Sequence, residues 1–255
     1  MRTLRTLEAY SDDAGNVIES EQTYDTKIVI TFRGRNNRIL VAPGAKIEEL
    51  RVEFDCDNGT LRMGHNRSVK GGRWAIRVGQ DATVAIGNNV SCTNICGISA
   101  VEGVTVRIGH DVMIATDTHI RADDGHPIFD VRTGRRVNPA RSISIGNHVW
   151  LGIGAVVLAG GQIGDGSVIG WGSIVTGKIP NNCVAVGRPA RVKRRDIAWE
   201  RPHLALVKPY YKPDASTVRK SKYWNLTAVE PSAPAPTPSV RRRLVRRIRR
   251  LWPRH

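Results

Sequence analysis

Residues 145–180 read IGNHVWLGIGAVVLAGGQIGDGSVIGWGSIVTGKIP and divide into hexads: IGNHVW, LGIGAV, VLAGGQ, IGDGSV, IGWGSI, VTGKIP. An aliphatic residue opens each one: Ile145, Leu151, Val157, Ile163, Ile169 and Val175. Gly follows in four of the six. A fixed period held over this many repeats is the signature of a solenoid. Each hexad supplies a short strand and a tight corner. The opening aliphatic points inward, and the Gly beside it lets the backbone turn. Three hexads make one triangular coil, and stacked coils bury a continuous aliphatic column that a lone coil could not cover.

The same period appears upstream. Ile108, Ile114 and Ile120 are six apart, and so are Ile86, Cys92, Ile98 and Val104. The two sets are out of phase by two residues, which predicts a small insertion near EGVTV (102–106). Cys92 falls on an inward position and reads as a small core thiol. RILVAPGAKIEELRVEF (38–54) and GTLRMGHNRSVKG (59–71) alternate like strands with Gly and Asn corners, as irregular early coils would. The expected organisation is a polar lead-in with a capping element at 1–27, a repeat domain at 28–195 and a cap segment with a short helix at 196–230. A Pro/Ala linker at 231–238 and a basic tail at 239–255 follow.

Composition agrees with an all-β repeat: aromatics make up 5% of the 255 residues, and there are 25 glycines. The four cysteines are scattered, with no CxxC pair and no zinc-type Cys/His spacing, so no metal is expected and the thiols point to the cytoplasm. The N-terminus lacks a signal-peptide apolar core, and no run is long enough to span a bilayer. Net charge is +16, and residues 239–255 carry eight arginines and no acid. Val240, Leu244, Ile248, Leu251 and Trp252 recur there at helical spacing with arginines opposite. Such a basic amphipathic helix suits an anionic membrane surface, so peripheral association with the inner face of the membrane is expected. Nucleic acid is not the expected partner.

Between Ile120 and Ile143 the period fails. ADDGHPIFD (122–130) and FDVRTGRRVNPARS (129–142) form a loop, 121–142, thrown out from the solenoid wall. Long loops inside compact repeats tend to be functional or disordered, and Pro127, Phe129 and Pro139 argue for an ordered one. It presents His126. Histidine titrates near the working pH and so suits general acid–base work. Asp123 and Asp124 could orient the imidazole or bind a substrate's hydroxyls, or could form a solvated turn. His119 reads as a structural or substrate-contact residue. His110 and His148, just after hexad glycines, read as exposed.

The segment 145–192 resembles the hexapeptide-repeat acyltransferases, and GHPIFDVRTGRRVNPARSISIGNHVWLG (125–152) is similar in particular to bacterial O-acetyltransferases of capsular and other surface polysaccharides. The resemblance is close over about residues 105–195 and looser over 28–104. It implies a left-handed parallel β-helix with a protruding catalytic loop, working as a homotrimer with sites between neighbouring subunits. The implied donor is acetyl-CoA or another acyl-CoA, and the acceptor is a hydroxyl of a sugar, polysaccharide or glycolipid. His126 matches the catalytic histidine and Trp150 the family's tryptophan. The backbone amide of Ile153 stands where an oxyanion is stabilised, although family members often have serine there. Arg191 and Arg194 match phosphate-contacting positions, Lys193 adds to the cationic end, and Thr176 and Gly177 lie on the pantetheine groove. Trp171 replaces a small residue; it could narrow the groove or stack on adenine. No GxSxG elbow is present, so transfer is expected to be direct, in a ternary complex. Two other readings stand beside this one. One is a metal-dependent lyase of γ-carbonic-anhydrase type using His119 and His126; the other is a non-catalytic β-helix scaffold.

Overall fold

A computed structural model describes residues 1–226. Short strands fall into three sheets. The first holds, in spatial order, Arg2–Leu4, Ile28–Phe32, Ile47–Phe54, Gly72–Val78, Ile95–Ala100, His119–Arg121, Val156–Leu158 and Ile174–Val175. The second holds Ser91–Cys92, Met113–Ile114, Trp150–Leu151, Val168–Ile169, Val184–Gly187 and Ala190–Arg194. The third runs from Tyr10–Ser11 and Val17–Glu19 through Arg38–Val41, Thr60–Met63, Thr83–Ile86, Thr105–Ile108, Ile143–Ile145 and Gln162–Ile163 to Lys178–Ile179. From Ser91 the chain visits the second, first and third sheets in turn, so each circuit is one coil of a three-sided prism. The early coils, residues 28–86, have strands only in the first and third sheets, which is their irregularity. The fold is a left-handed parallel β-helix.

Register explains the hexad openers. Ile98, Ile120, Val157 and Val175 stack in the first sheet. Cys92, Ile114, Leu151 and Ile169 stack in the second, and Ile108, Ile145 and Ile163 in the third. All are buried, and each large side chain so buried contributes roughly 1.5–3 kcal/mol. Val157 pairs with Val175, 18 residues on, but Ile98 pairs with Ile120, 22 residues on. The excess falls at the corner between the first and third sheets, where Glu102 and Gly103 take positive φ. This is the insertion near EGVTV. Val104 leaves the inward column, and Val106 and Ile108 carry it instead. Loop 121–142 leaves from the same corner, so the column resumes in phase at Ile143 and Ile145.

The corner between the third and second sheets is held by side chains acting as ladder rungs. Asn88 Oδ1 accepts from His65 N, His110 Nδ1 from Asn88 N, and Asn147 Oδ1 from His110 N. Asp165 Oδ1 accepts from Asn147 N, and Asn181 Oδ1 from Asp165 N. The next residue at successive corners lies in the left-handed region: Asn89, Asp111, His148, Gly166 and Asn182. Asn, Asp and Gly tolerate that conformation; a histidine there is held by its surroundings.

His148 is accordingly buried, not exposed. Its ring is stacked between Trp199, with centroids 4.1 Å apart, and Tyr223, at 4.5 Å. Nδ1 lies 2.6 Å from Asp111 Oδ2, and Nε2 lies 2.8 Å from the carbonyl of Trp199. Among the described residues after Arg195, 196–226, there is no α-helix over the open end; they hold one 3-10 turn, Leu204–Leu206, and run as a strap along this corner. Arg201 donates to Asp111 Oδ1 at 2.5 Å, Ser91 Oγ at 2.8 Å and the carbonyls of Asn89 and Val112 at 3.0 Å, tying two coils together. Asn182 Nδ2 donates to the carbonyls of Ile197 and Tyr223.

At the other end, the first residues do more than lead in. Arg2–Leu4 pairs antiparallel with Ile28–Phe32, and Val17–Glu19 extends the third sheet, burying Leu7 and Ile18 over the first coil. The linker 231–238 and the basic tail 239–255 lie outside the described residues. Among the described residues, no helix is long and apolar enough to cross a membrane.

Burial alone would raise the Asp111 carboxyl. The hydrogen bond from His148 and the Arg201 guanidinium outweigh it and hold the group below the ordinary carboxylate range. A depressed folded pKa gives stability that is present above the unfolded value, about 3.9, and lost as pH falls through the folded one. Asp111→Asn should therefore cost about 1–3 kcal/mol near neutral pH, a fall of roughly 2–10 °C in melting temperature. In melts recorded from pH 7 to pH 3, the gap between wild type and variant should narrow below about pH 4.

Candidate active site

The loop that carries His126 is a pinned hairpin. At its base Asp123, only 4% exposed, accepts from Ser99 Oγ and from Gly125 N at 2.9 Å, and pairs with Arg77 Nη1 at 3.4 Å. It is neither a solvated turn nor a partner of the imidazole; it fixes where the loop leaves the wall. Arg141 closes the other limb, donating from its amide to the Ala122 carbonyl at 3.1 Å. Asn138 joins the two limbs. Its Nδ2 donates to Asp124 Oδ2 and to the His126 carbonyl, both at 2.9 Å, and its Oδ1 accepts from Ile128 N at 2.7 Å. Further out, Ile128 pairs with Val137, and Asp130 with Arg135. Asp130 caps the tip, and hydrogen bonds from Thr133 and Arg132 hold its carboxyl below the usual range.

The backbone of His126 is therefore fixed, while its imidazole is exposed and makes no hydrogen bond among the described residues. Around it the loop exposes apolar side chains: Ile128, Phe129, Val137 and Val131, the last 99% exposed. Water is a poor environment for such a cluster.

Trp150 lies elsewhere. It faces outward from the second sheet, 38% exposed, with Trp199 at 5.9 Å between centroids and 46° between planes. In a three-sided prism the corner between the first and third sheets lies opposite the second face. The base of the His126 loop and Trp150 are thus on opposite sides of one chain. Ile153 stands at the next corner after Trp150, 41% exposed. Its carbonyl accepts from Gly172, but its amide has no acceptor among the described residues, as an oxyanion donor requires. One coil further on, Trp171 projects from the same corner, 79% exposed. Arg188 follows above it and donates to the Gly172 carbonyl at 2.6 Å.

The strand Ala190–Arg194 folds back antiparallel on Val184–Gly187, leaving Arg191, Lys193 and Arg194 exposed and without ion-pair partners among the described residues. Thr176 and Gly177 are exposed at the corner between the first and third sheets, with the loop. The candidate residues therefore fall into two groups on one chain. His126, Thr176 and Gly177 share one corner; Trp150, Ile153, Trp171 and the basic strand share the opposite face and its edge.

His119 opens a first-sheet strand and is exposed, with its ring over Gly97, where a Cβ would come within 2.7 Å of Nδ1. Among the described residues, no three His, Cys, Asp or Glu side chains converge as a metal site would need. The sequence reading missed Asn138 and the strap. Asn138 had a faint signal, an amide side chain just before Pro139 in a loop expected to be ordered.

No protein-family model matches the chain. It is 36% identical over 146 residues to the polysialic acid O-acetyltransferase of Escherichia coli O1:K1 / APEC, covering 55% of this chain and 45% of that protein. The chain thus spans less than half the length of that curated relative. It is 30% identical over 156 residues to the putative lipopolysaccharide biosynthesis O-acetyl transferase WbbJ of Escherichia coli (strain K12), covering 56% of this chain and 78% of that protein. Among solved structures it is similar to the polySia-specific acetyltransferase NeuO, with a TM-score of 0.63 and 35% identity, over 71% of this chain and 84% of that one. Hexad columns, a GHP loop leaving one corner and relatives at these identities agree: the chain belongs to the hexapeptide-repeat acyltransferase family.

Proposed function

We propose that the protein is an acyl-CoA-dependent O-acyltransferase, with acetyl-CoA as the donor, acting on a hydroxyl of a sugar, polysaccharide or glycolipid. The observation that carries the reading is the His126 loop: a hydrogen-bonded hairpin that holds one unengaged imidazole clear of the wall. The relatives' names, polysialic acid O-acetyltransferase and putative lipopolysaccharide biosynthesis O-acetyl transferase, support the acyl acceptor class.

The site is completed by a second copy of the chain. The loop of one chain, with its apolar Ile128, Phe129 and Val137, lies against the face of the next that carries Trp150 and Ile153. Because the two half-sites are on opposite sides, the contact is head-to-tail. The family resemblance implies that it closes into a trimer.

In the joint site a ring nitrogen of His126 takes the acceptor's hydroxyl proton as its oxygen attacks the thioester carbon. The carbonyl oxygen becomes negative and accepts from the free Ile153 amide. Collapse of the tetrahedral intermediate breaks the carbon–sulfur bond. The CoA sulfur leaves with the proton held by His126, giving an ester and free CoA. Trp150 packs the thioester arm and keeps water out. Arg191, Lys193 and Arg194 meet the CoA phosphates. Trp171 stacks at the edge of that groove, and Thr176 and Gly177 line it from the loop-bearing chain.

Thiol release from acetyl-CoA in the presence of a mixed sugar pool tests the reading. His126→Ala should lower the rate by about 100-fold or more with little change in melting temperature; an unchanged rate would defeat the proposal. Asn138→Ala frees the loop backbone without touching substrate. It should reduce kcat/KM by roughly tenfold and speed proteolytic cleavage within residues 121–142, with melting of the solenoid unaltered.

A further inference from the structure

The strap formed by residues 197–226 is absorbed neither by the hexads nor by the proposed chemistry, yet it reaches the site. Trp199 is its point of contact. Its indole lies at 5.9 Å and 46° to the indole of Trp150. Three ties fix Trp199 to the corner just before that residue. Its ring stacks on His148 at 4.1 Å and 13°; its Nε1 donates to the His148 carbonyl at 3.0 Å; and its own carbonyl faces His148 Nε2 at 2.8 Å.

Behind these ties stands the rest of the strap. Tyr223 covers the far face of the His148 ring at 3° between planes. Glu200 Oε1 accepts from Ser221 N and Trp224 Nε1, both at 2.7 Å, folding the strap onto itself. Arg201, two residues after Trp199, is anchored on the coils below. Trp150, by contrast, sits on a two-residue strand, Trp150–Leu151, with one face toward solvent. A bare strand of that length leaves an indole free to change rotamer. An indole with another packed against it at a tilt loses part of that freedom.

We infer that Trp199 is a positioning residue: it sets the pose of Trp150, and the strap thereby forms part of the donor half of the site. The inference rests on the function proposed above, because Trp150 takes its role from that reading. It also gives His148, Asp111 and Arg201 a purpose beyond stability, as the frame that holds Trp199.

The test uses the full chain labelled with 5-fluorotryptophan. Trp150→Phe assigns the Trp150 fluorine resonance. Binding of acetyl-CoA alone is measured by calorimetry. In Trp199→Ala the Trp150 resonance should shift and broaden, and the Kd for acetyl-CoA should rise about three- to tenfold, the worth of one aromatic pair. Trp199→Phe keeps a flat ring against Trp150 and should stay within about twofold of wild type by the same reasoning. Should Trp199→Ala fold poorly, Trp199→Leu fills the volume without an aromatic face and should give the same shift and loss. A Trp150 resonance unmoved in these variants overturns the inference alone. A moved resonance with Trp150→Ala binding acetyl-CoA as tightly as wild type overturns the reading of the site beneath it.

Discussion

Each coil of this solenoid must hand its backbone to the next in register, because its three inward columns are continuous and nothing else covers them. Ile98 meets Ile120, Ile120 meets Val157, and Val157 meets Val175. A slip of one residue would turn every inward aliphatic outward. Extra chain is therefore admitted only where it can leave and return without disturbing the columns. Here that place is the corner between the first and third sheets. It takes the Glu102–Gly103 insertion in one coil and the whole of loop 121–142 in the next. The position of His126 follows from the packing of residues it never touches.

The same constraint separates the candidate residues. The pinned loop leaves one corner of a three-sided prism, and the second sheet is the face opposite that corner. His126 is on one side; Trp150 and the Ile153 amide, which has no acceptor among the described residues, are on the other. The apolar loop side chains exposed beside His126 are what a neighbouring chain would cover. On the function proposed above, assembly is a condition of having an active site, and the interface and the catalytic groove are the same surface.

Much of this was legible in the sequence because it is written in local period. The hexad openers named the core residues, the phase slip located the insertion, and the failure of the period located the loop. The misses at Asp123, His148 and the strap were long-range. Asp123 reads as half of an acidic turn, but Ser99 and Arg77, on neighbouring coils, bury and satisfy it. His148 reads as a corner residue facing water, but Trp199 and Tyr223, at least 51 positions later, enclose its ring. No spacing rule connects such residues. The strap could not be foreseen either, since its turns follow no period and its contacts are made by single side chains. The side-chain ladder of Asn88, His110, Asn147, Asp165 and Asn181 lies between these cases. Its signal, a polar residue after the hexad Gly in all but Asn181, which follows Pro180, was visible, but only the stacked coils show what it accepts.

The central claim is that the site is shared between two copies. Its most direct test is complementation between two inactive chains. His126→Ala and Trp150→Ala are each purified, then unfolded together and refolded as an equal mixture. Random trimers place an intact loop against an intact face at about one interface in four. The account predicts recovery of about a quarter of the wild-type rate of thiol release. Mixed trimers, verified by differential mass labels, that show no more activity than the two variants refolded apart would contradict it.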